Sequence, residues 1–309
     1  MSTVRILLAT YNGEKYIEEM VESILSQDYT DWQMILSDDM SKDGTPAILD
    51  RYAQKYPDRI TRYRSGLHFG NAQGHFLHLL SQFPDAPYIM FCDQDDVWHK
   101  DKISKTLGKM KEIEKAGLPA LVHTDLRVVD VGLQEMGPSF LAYSGIRGDR
   151  LQLKQLLVQN VVTGCTTMVN QELAKLANAH KPEGKILMHD WWLALIAASM
   201  GTIGFLDEAT IDYRQHGNNT VGAKNTKSPA YILKKICNDG VRKAMEQTYH
   251  QAEIFLQCFG DQLDQEQYRV VKTYGDLARQ GAMTRRLAFL KGGYYKYGIQ
   301  RIAAQFLWS

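Results

Sequence analysis

Phe91-Cys92-Asp93-Gln94-Asp95-Asp96-Val97-Trp98 is the stretch on which the fold turns. It sets three carboxylates within four residues, directly after the apolar run Tyr88-Ile89-Met90-Phe91, which reads as a buried strand. Carboxylates at that density repel one another and are costly at the end of a buried strand unless a cation sits among them. The usual cation is a divalent ion carrying a substrate diphosphate. The competing reading is a solvated acidic turn.

Two upstream segments share the pattern. Trp32-Gln33-Met34-Ile35-Leu36-Ser37 reads as a strand ending in Asp38-Asp39, and Val4 to Ala9 as a strand ending in Thr10-Tyr11-Asn12-Gly13. In an open α/β sheet, ligands bind in the crevice outside the carboxyl ends of the strands. Three polar clusters at three strand ends are therefore expected to converge on one site. Turn chemistry explains Gly13 and Gly44 but not the carboxylates.

The whole chain fits this picture. Its 309 residues, 44% hydrophobic and 23% charged, suit one large domain with or without a helical appendage. A net charge of +1 gives no basic field for nucleic acid. Cys92, Cys165, Cys237 and Cys258 are scattered with no C-x-x-C, which points to a reducing compartment and away from disulfides or zinc. The first strand begins so close to Met1 that no signal peptide is expected. No apolar run is long enough for a membrane span.

Strands and helices alternate up to about Gly117, so the expected class is α/β, with a mostly parallel central sheet flanked by helices. Helices are expected at 16–25, from Thr45-Pro46 to near Pro57, at 71–83 and from Ile103 to near Gly117. Beyond Leu121 the pattern changes: a strand at 121–129, a loop-rich stretch, a helix at 151–158, a strand at 164–169, a helix at 172–179 and an apolar helix from Asp190. Strands at 202–205 and 210–213 complete the sheet. A polar linker at 218–227 then leads to a helical C-terminal extension. The expected division is a domain at 1–220 followed by linker and helical region at 221–309.

Taken in order, Ala9-Thr10-Tyr11-Asn12-Gly13, Leu36-Ser37-Asp38-Asp39 with Asp43-Gly44-Thr45, Asp93-Gln94-Asp95-Asp96-Val97-Trp98, Gly164-Cys165-Thr166, His189-Asp190-Trp191-Trp192 and Tyr213-Arg214-Gln215-His216 resemble a family 2 glycosyltransferase of the GT-A fold, a Rossmann-like architecture. The likeness covers roughly the first 220 residues. The Asp-Gln-Asp-Asp-Val-Trp and His-Asp-Trp-Trp forms look most like the bacterial rhamnosyltransferase branch, which builds cell-wall and capsular polysaccharides. Where many relatives carry Asn before the Phe of the 71–83 helix, this chain has His75, so no polar contact is carried over there.

The resemblance implies a metal-dependent, inverting transferase using a dTDP- or UDP-sugar, with Mn2+ or Mg2+ held through an Asp-x-Asp motif. Asp95 would be the direct ligand, and Asp93 would touch the ribose or reach the ion through water. Asp96 would cap the next turn. His216 is implied as a late metal or diphosphate contact, Arg214 as a diphosphate partner, and Asp38 and Asp39 as base and ribose contacts. Thr10, Tyr11 and Asn12 would line the nucleotide. Gly164, Cys165, Trp191 and Trp192 would lie near the donor or acceptor sugar, the tryptophans as a flat apolar surface.

Asp190 is the candidate general base. It is an acid at the start of a helix, where the dipole favours its ionised form. The alternative is an ordinary capping Asp with both tryptophans in the core. The basic and aromatic residues after Gly281 suit either a membrane interface near a polyprenyl-linked acceptor or a docked helix with a solvated basic face. The chain is accordingly expected in the cytoplasm, with peripheral contact at the inner face of the membrane. Two rival functions stand beside the transferase. One is a noncatalytic glycan- or nucleotide-sugar-binding subunit of the same fold. The other, a dinucleotide oxidoreductase, is disfavoured because no G-x-G-x-x-G follows the first strand.

Overall fold

The structure, a computed structural model, describes residues 4–216 and 240–308. The linker expected at 218–227, Cys237 and the boundary at residue 220 lie outside the described residues.

One mixed sheet organises the chain. Its strands are β1 (Val4–Thr10), β2 (Trp32–Asp38), β3 (Ile60–Tyr63), β4 (Tyr88–Cys92), β5 (Val97–Trp98), β6 (Ala120–Val129), β7 (Glu135–Gly137), β8 (Met168–Asn170) and β9 (Thr202–Arg214). They lie in the order β3-β2-β1-β4-β8-β6-β9-β5, with β7 on the side of β6. β3, β2, β1 and β4 are mutually parallel, as the βα alternation requires. Beyond β4 the expectation of a mostly parallel sheet gives way. β8 runs antiparallel to both β4 and β6. The two short strands expected at 202–213 form the single long β9, parallel to β6 through two register shifts.

Alternation along β1 sends Val4, Ile6 and Leu8 into one core and Leu7 into the other. The first core is closed by α1 (Ile17–Leu25), α2 (Thr45–Lys55) and α4 (Lys102–Ile113). Over the opposite face pack α3 (Ala72–Gln82), α6 (Leu153–Val158), α7 (Gln171–Ala179) and α8 (His189–Met200), with the small α5 (Phe140–Ser144) near β6. Burial on both faces explains why the strands read as continuous apolar runs. The C-terminal helices α9 (Gly240–Phe259), α10 (Gln265–Asp276), α11 (Ala282–Gly292) and α12 (Ile299–Leu307) follow. Tyr249, Phe255, Phe259, Tyr274 and Phe289 of this region share the second core with Leu79 and Trp192.

Register places the site. Thr10 pairs with Asp38 and Leu8 with Cys92, so β1, β2 and β4 end at one level of one edge. Met90 pairs with Met168 in the antiparallel β8, so the 3-10 turn Gly164–Thr166 arrives at that same edge. The first part of the stretch expected as a strand at 164–169 is this turn.

Candidate active site

The first polar loop is clamped by its neighbours. The Gln94 side-chain amide donates to Tyr11 O at 2.9 Å and accepts from Tyr11 N at 2.8 Å. A Cβ at Gly13 would displace that amide. Asn12 adopts a left-handed conformation (φ 49) that Asn tolerates, and its Oδ1 accepts from Lys42 N at 2.9 Å. Gln94 and Gly13 thus join the first strand end to the acidic loop. Gln94 was not singled out in the sequence because its partner is backbone 83 residues away.

Asp38 and Asp39 have different jobs. Asp38 accepts from Thr10 Oγ1 at 2.9 Å and from Ser41 N at 2.9 Å. Asp39 is buried and accepts from Phe69 N at 2.6 Å, Gly70 N at 2.8 Å and His68 Nδ1 at 3.1 Å. It therefore anchors the 68–70 loop. Met40 follows with φ 60, a conformation rarely used by a long side chain and the kind of strain that collects at functional sites. Tyr11, Met40 and Leu67 remain about half exposed on these loops. His75, where relatives carry Asn, is buried, stacks on Phe69 at 4.7 Å and pairs with Ser37 Oγ at 2.7 Å. Burial lowers its pKa to about 4, so it stands neutral beneath the Asp38 loop.

At the end of β4 the acids separate by environment. His216 Nε2 lies 2.6 Å from Asp95 Oδ2, and the imidazole stacks on Tyr16 at 5.4 Å. Asp93 and Asp96 turn toward Cys165, with ligand atoms of all three within 4.8 Å of one another. Burial and the neighbouring Asp95 and Asp190 carboxylates push Asp93 up to about 7. Asp96 is also raised, by burial first and then by Asp95 and Asp93. Its expected role as a turn cap is replaced by a brace: Oδ1 accepts from Arg214 N at 3.3 Å, while buried Oδ2 has no hydrogen-bond partner among the described residues. Burial holds the Cys165 thiol well above its ordinary pKa, so it fills the space beneath the acids as a neutral group rather than lining an open sugar surface.

Asp190 occupies the second position of α8 and is 5% exposed. Its Oδ1 accepts from Trp191 N at 2.5 Å and from Asn160 Nδ2 at 3.2 Å, and Gly164 N–H also donates to it. Burial outweighs these bonds and raises its pKa to about 6. Asn160 is in turn held by Val162 O at 2.9 Å and Val162 N at 3.0 Å. Nothing in the sequence marks this loop Asn as the residue that orients Asp190. A Cβ at Gly164 would lie 2.8 Å from His189 Nε2, which explains the glycine. His189 is buried against Phe76 and Phe91.

The two tryptophans divide. Trp192 is 1% exposed and packs against Phe255 and Phe259, so its expected part in a sugar surface is corrected to core packing. Trp191 is half-buried, with Nε1 donating to Leu156 O at 2.5 Å.

Arg214 also departs from its expected role. Its guanidinium, 2% exposed, donates to Asp95 O at 2.9 Å, Val131 O at 2.8 Å and Glu19 Oε2 at 2.5 Å, and lies 4.6 Å from the Tyr16 ring. Those bonds commit it to bracing the acidic loop rather than to a diphosphate. Lys presents a point charge and cannot span three acceptors. Arg214→Lys is therefore expected to cost about 1–3 kcal/mol of stability, read as a lowered urea midpoint at unchanged slope. An unchanged midpoint would refute the bracing role.

A parallel half-sheet that brings an Asp-x-Asp loop and a helix-borne carboxylate to one edge has the arrangement of the GT-A fold. The chain belongs to glycosyl transferase family 2, whose model matches residues 5–175. It is 30% identical over 224 residues to the dTDP-rhamnosyl transferase RfbG of Shigella flexneri, covering 70% of this chain and 74% of that one. S. aureus TarS 1-349 in complex with UDP-GlcNAc shares the fold at a TM-score of 0.57 and 14% identity, over 99% of this chain and 90% of that chain. The mannosyltransferase PcManGT of Pyrobaculum calidifontis, in complex with GDP-Man and Mn2+, does so at 0.52 and 15%, over 99% and 85%. At those identities the likeness is one of fold.

Proposed function

We propose that this glycosyltransferase is an inverting enzyme that transfers a sugar from a nucleoside-diphosphate donor to a cell-wall or capsular polysaccharide precursor. dTDP-L-rhamnose is the favoured donor over a UDP-hexose, a preference supported by the RfbG relationship. The observation that carries the mechanism is Asp190: a buried carboxylate on a helix start, raised to about 6, whose charge is felt by Asp93 of the acidic loop. Residues 1–220 form the transferase domain in this reading, and 221–309 the linker and helical extension.

Asp190 takes the proton of the acceptor hydroxyl. The oxygen attacks the anomeric carbon from the face opposite the diphosphate, the bond to the diphosphate breaks, and the configuration inverts. A base near 6 is ionised at neutral pH yet basic enough to accept that proton. Thr10, Tyr11, Asn12, Asp38 and Asp39 shape the nucleoside end, with exposed Tyr11 beside the base.

The acids fit a divalent cation. Asp93 and Asp95 offer hard carboxylate oxygens, and the raised Asp93, buried beside the Asp95 carboxylate, is relieved by a cation between them. Asp95, Asp93 and His216 would hold it. When bound, Mn2+ or Mg2+ offsets the charge that develops on the diphosphate leaving group.

The acceptor in this reading rides on a polyprenyl lipid, and the enzyme sits peripherally at the inner face of the membrane. Among the described residues no helix is long and apolar enough to cross a membrane.

A thermal-shift series tests the donor. dTDP-rhamnose with Mn2+, at about a hundredfold excess over Kd, should stabilise the protein by about 2.7 kcal/mol, with UDP-sugars giving less. A larger shift with a UDP-sugar would replace the donor, and no shift with any dTDP- or UDP-sugar would overturn the donor class.

A further inference from the structure

The last two helices each leave an apolar stripe facing outward. Arg301, Ala304 and Gln305 form the inward face of α12. Arg301 donates to Ser144 O at 2.5 Å and Gly145 O at 2.6 Å. Gln305, fully buried, donates to Tyr294 O at 2.8 Å and accepts from Lys296 N at 3.0 Å. The opposite face carries Ile299, 87% exposed, and Leu307, 58% exposed, with exposed Ala303 between them at helical spacing. α11 is arranged alike. Phe289 is buried, while Met283, Leu287 and Leu290, at i, i+4 and i+7, are 69%, 45% and 67% exposed. The two helices pack together, since Phe289 meets Phe306 at 5.8 Å and Arg286 Nε donates to Phe306 O at 3.0 Å.

Six of the thirteen large apolar side chains exposed among the described residues fall in these 25 positions, 283–307, which sets the patch apart from scattered surface hydrophobics. α12 buries Gln305 beside Ala304 and leaves Ile299 and Leu307 exposed, and an apolar phase outside the protein would take up that exposed stripe. The charge selects the phase. Apart from the inward-facing Arg301, residues 281–309 carry Arg285, Arg286, Lys291 and Lys296 and no acid. Arg150 extends the rim, 5.8 Å from the ring of exposed Tyr295. A second copy on the same patch would set these cations against their own kind, whereas an anionic lipid surface complements both charge and apolarity.

We propose that the outward faces of α11 and α12 form a docking surface for an anionic phospholipid membrane, with Met283, Leu287, Leu290, Ile299 and Leu307 entering the acyl boundary and the basic side chains at headgroup level. Its use, bringing a lipid-carried acceptor to the active site, rests on the transferase reading; the vesicle binding itself does not.

Co-sedimentation with phosphatidylglycerol–phosphatidylcholine vesicles and with pure phosphatidylcholine vesicles tests it. The full chain should bind the anionic vesicles, should bind neutral ones at least about tenfold more weakly, and should be released by salt. Leu290→Glu and Ile299→Glu, both on exposed side chains, should each weaken binding about tenfold or more with melting temperature and donor-induced thermal shift unchanged. Equal partitioning of variants and parent, or no binding by the parent, overturns the surface. So does a parent that is dimeric by analytical ultracentrifugation with monomeric variants. A parent with no donor shift would instead overturn the donor class and leave the vesicle result standing.

Discussion

Asp190→Asn is expected to fold, to bind donor as the parent does, and to transfer sugar at least about a hundredfold more slowly, the scale of lost general-base assistance. Asn retains a side-chain oxygen for the Trp191 N–H and preserves the size of a residue that is 5% exposed. What it lacks is a lone pair able to take a proton at neutral pH. The fold should gain from the change. An acid raised from 3.8 to about 6 is ionised in the unfolded chain before it is ionised in the native one. Native stability therefore falls as pH rises from 3.8 to about 6, and the penalty, about 3 kcal/mol, is complete above it. The Asn variant escapes that penalty, so its melting temperature at pH 8 should equal or exceed the parent's.

The same group sets the acid limb of the parent's rate. Protonating Asp190 removes the base, so kcat should fall about tenfold per pH unit below about 6. The limb should vanish in Asp190→Asn. The parent's product should carry the anomeric configuration opposite to the donor's, read by NMR. A retained configuration, or an Asn variant that folds, binds donor and transfers at the normal rate, would return Asp190 to a helix-start capping residue.

The sequence exposed those parts of the site that depend on one segment at a time. Asp38, Asp93 and Asp95 were legible because each closes an apolar strand, and parallel strands necessarily bring their ends to one edge. Roles that depend on tertiary pairing were not. Arg214 and Glu19 lie 195 positions apart, and only the folded chain shows the guanidinium holding the acidic loop instead of a ligand. Trp191 and Trp192 could not be told apart because α8 is apolar nearly all round, so its periodicity does not select a core face. β5 is two residues long and gives no pattern. The orientation of α12 was hidden for a different reason. Amphipathicity specifies two faces but not which one meets the protein, and here Arg301 and Gln305 decide it by finding backbone partners inside.

Asp95→Ala separates donor affinity from metal dependence and has the larger expected effect on the two together. The substitution removes a hard oxygen donor and the partner of His216 Nε2, leaving Asp93 and Asp96 buried side by side. Donor titrated into the parent should bind more tightly with Mn2+ than without it, and in Asp95→Ala the two titrations should coincide. Turnover should fall by about 100–1,000-fold, the range seen when one group stabilising developing charge is lost. Asp95→Asn refines the result. Its neutral amide oxygen keeps the side-chain volume but not the charge, so if charge is what holds the cation, the Asn and Ala variants should lose Mn2+ dependence alike. Removing a charge from a crowded acid cluster relieves repulsion, so neither variant should be less stable without metal than the parent. Near-normal turnover, or a persisting Mn2+ increment in donor binding, would move the cation to Asp93 and Asp96 and leave Asp95 as the residue that orients His216.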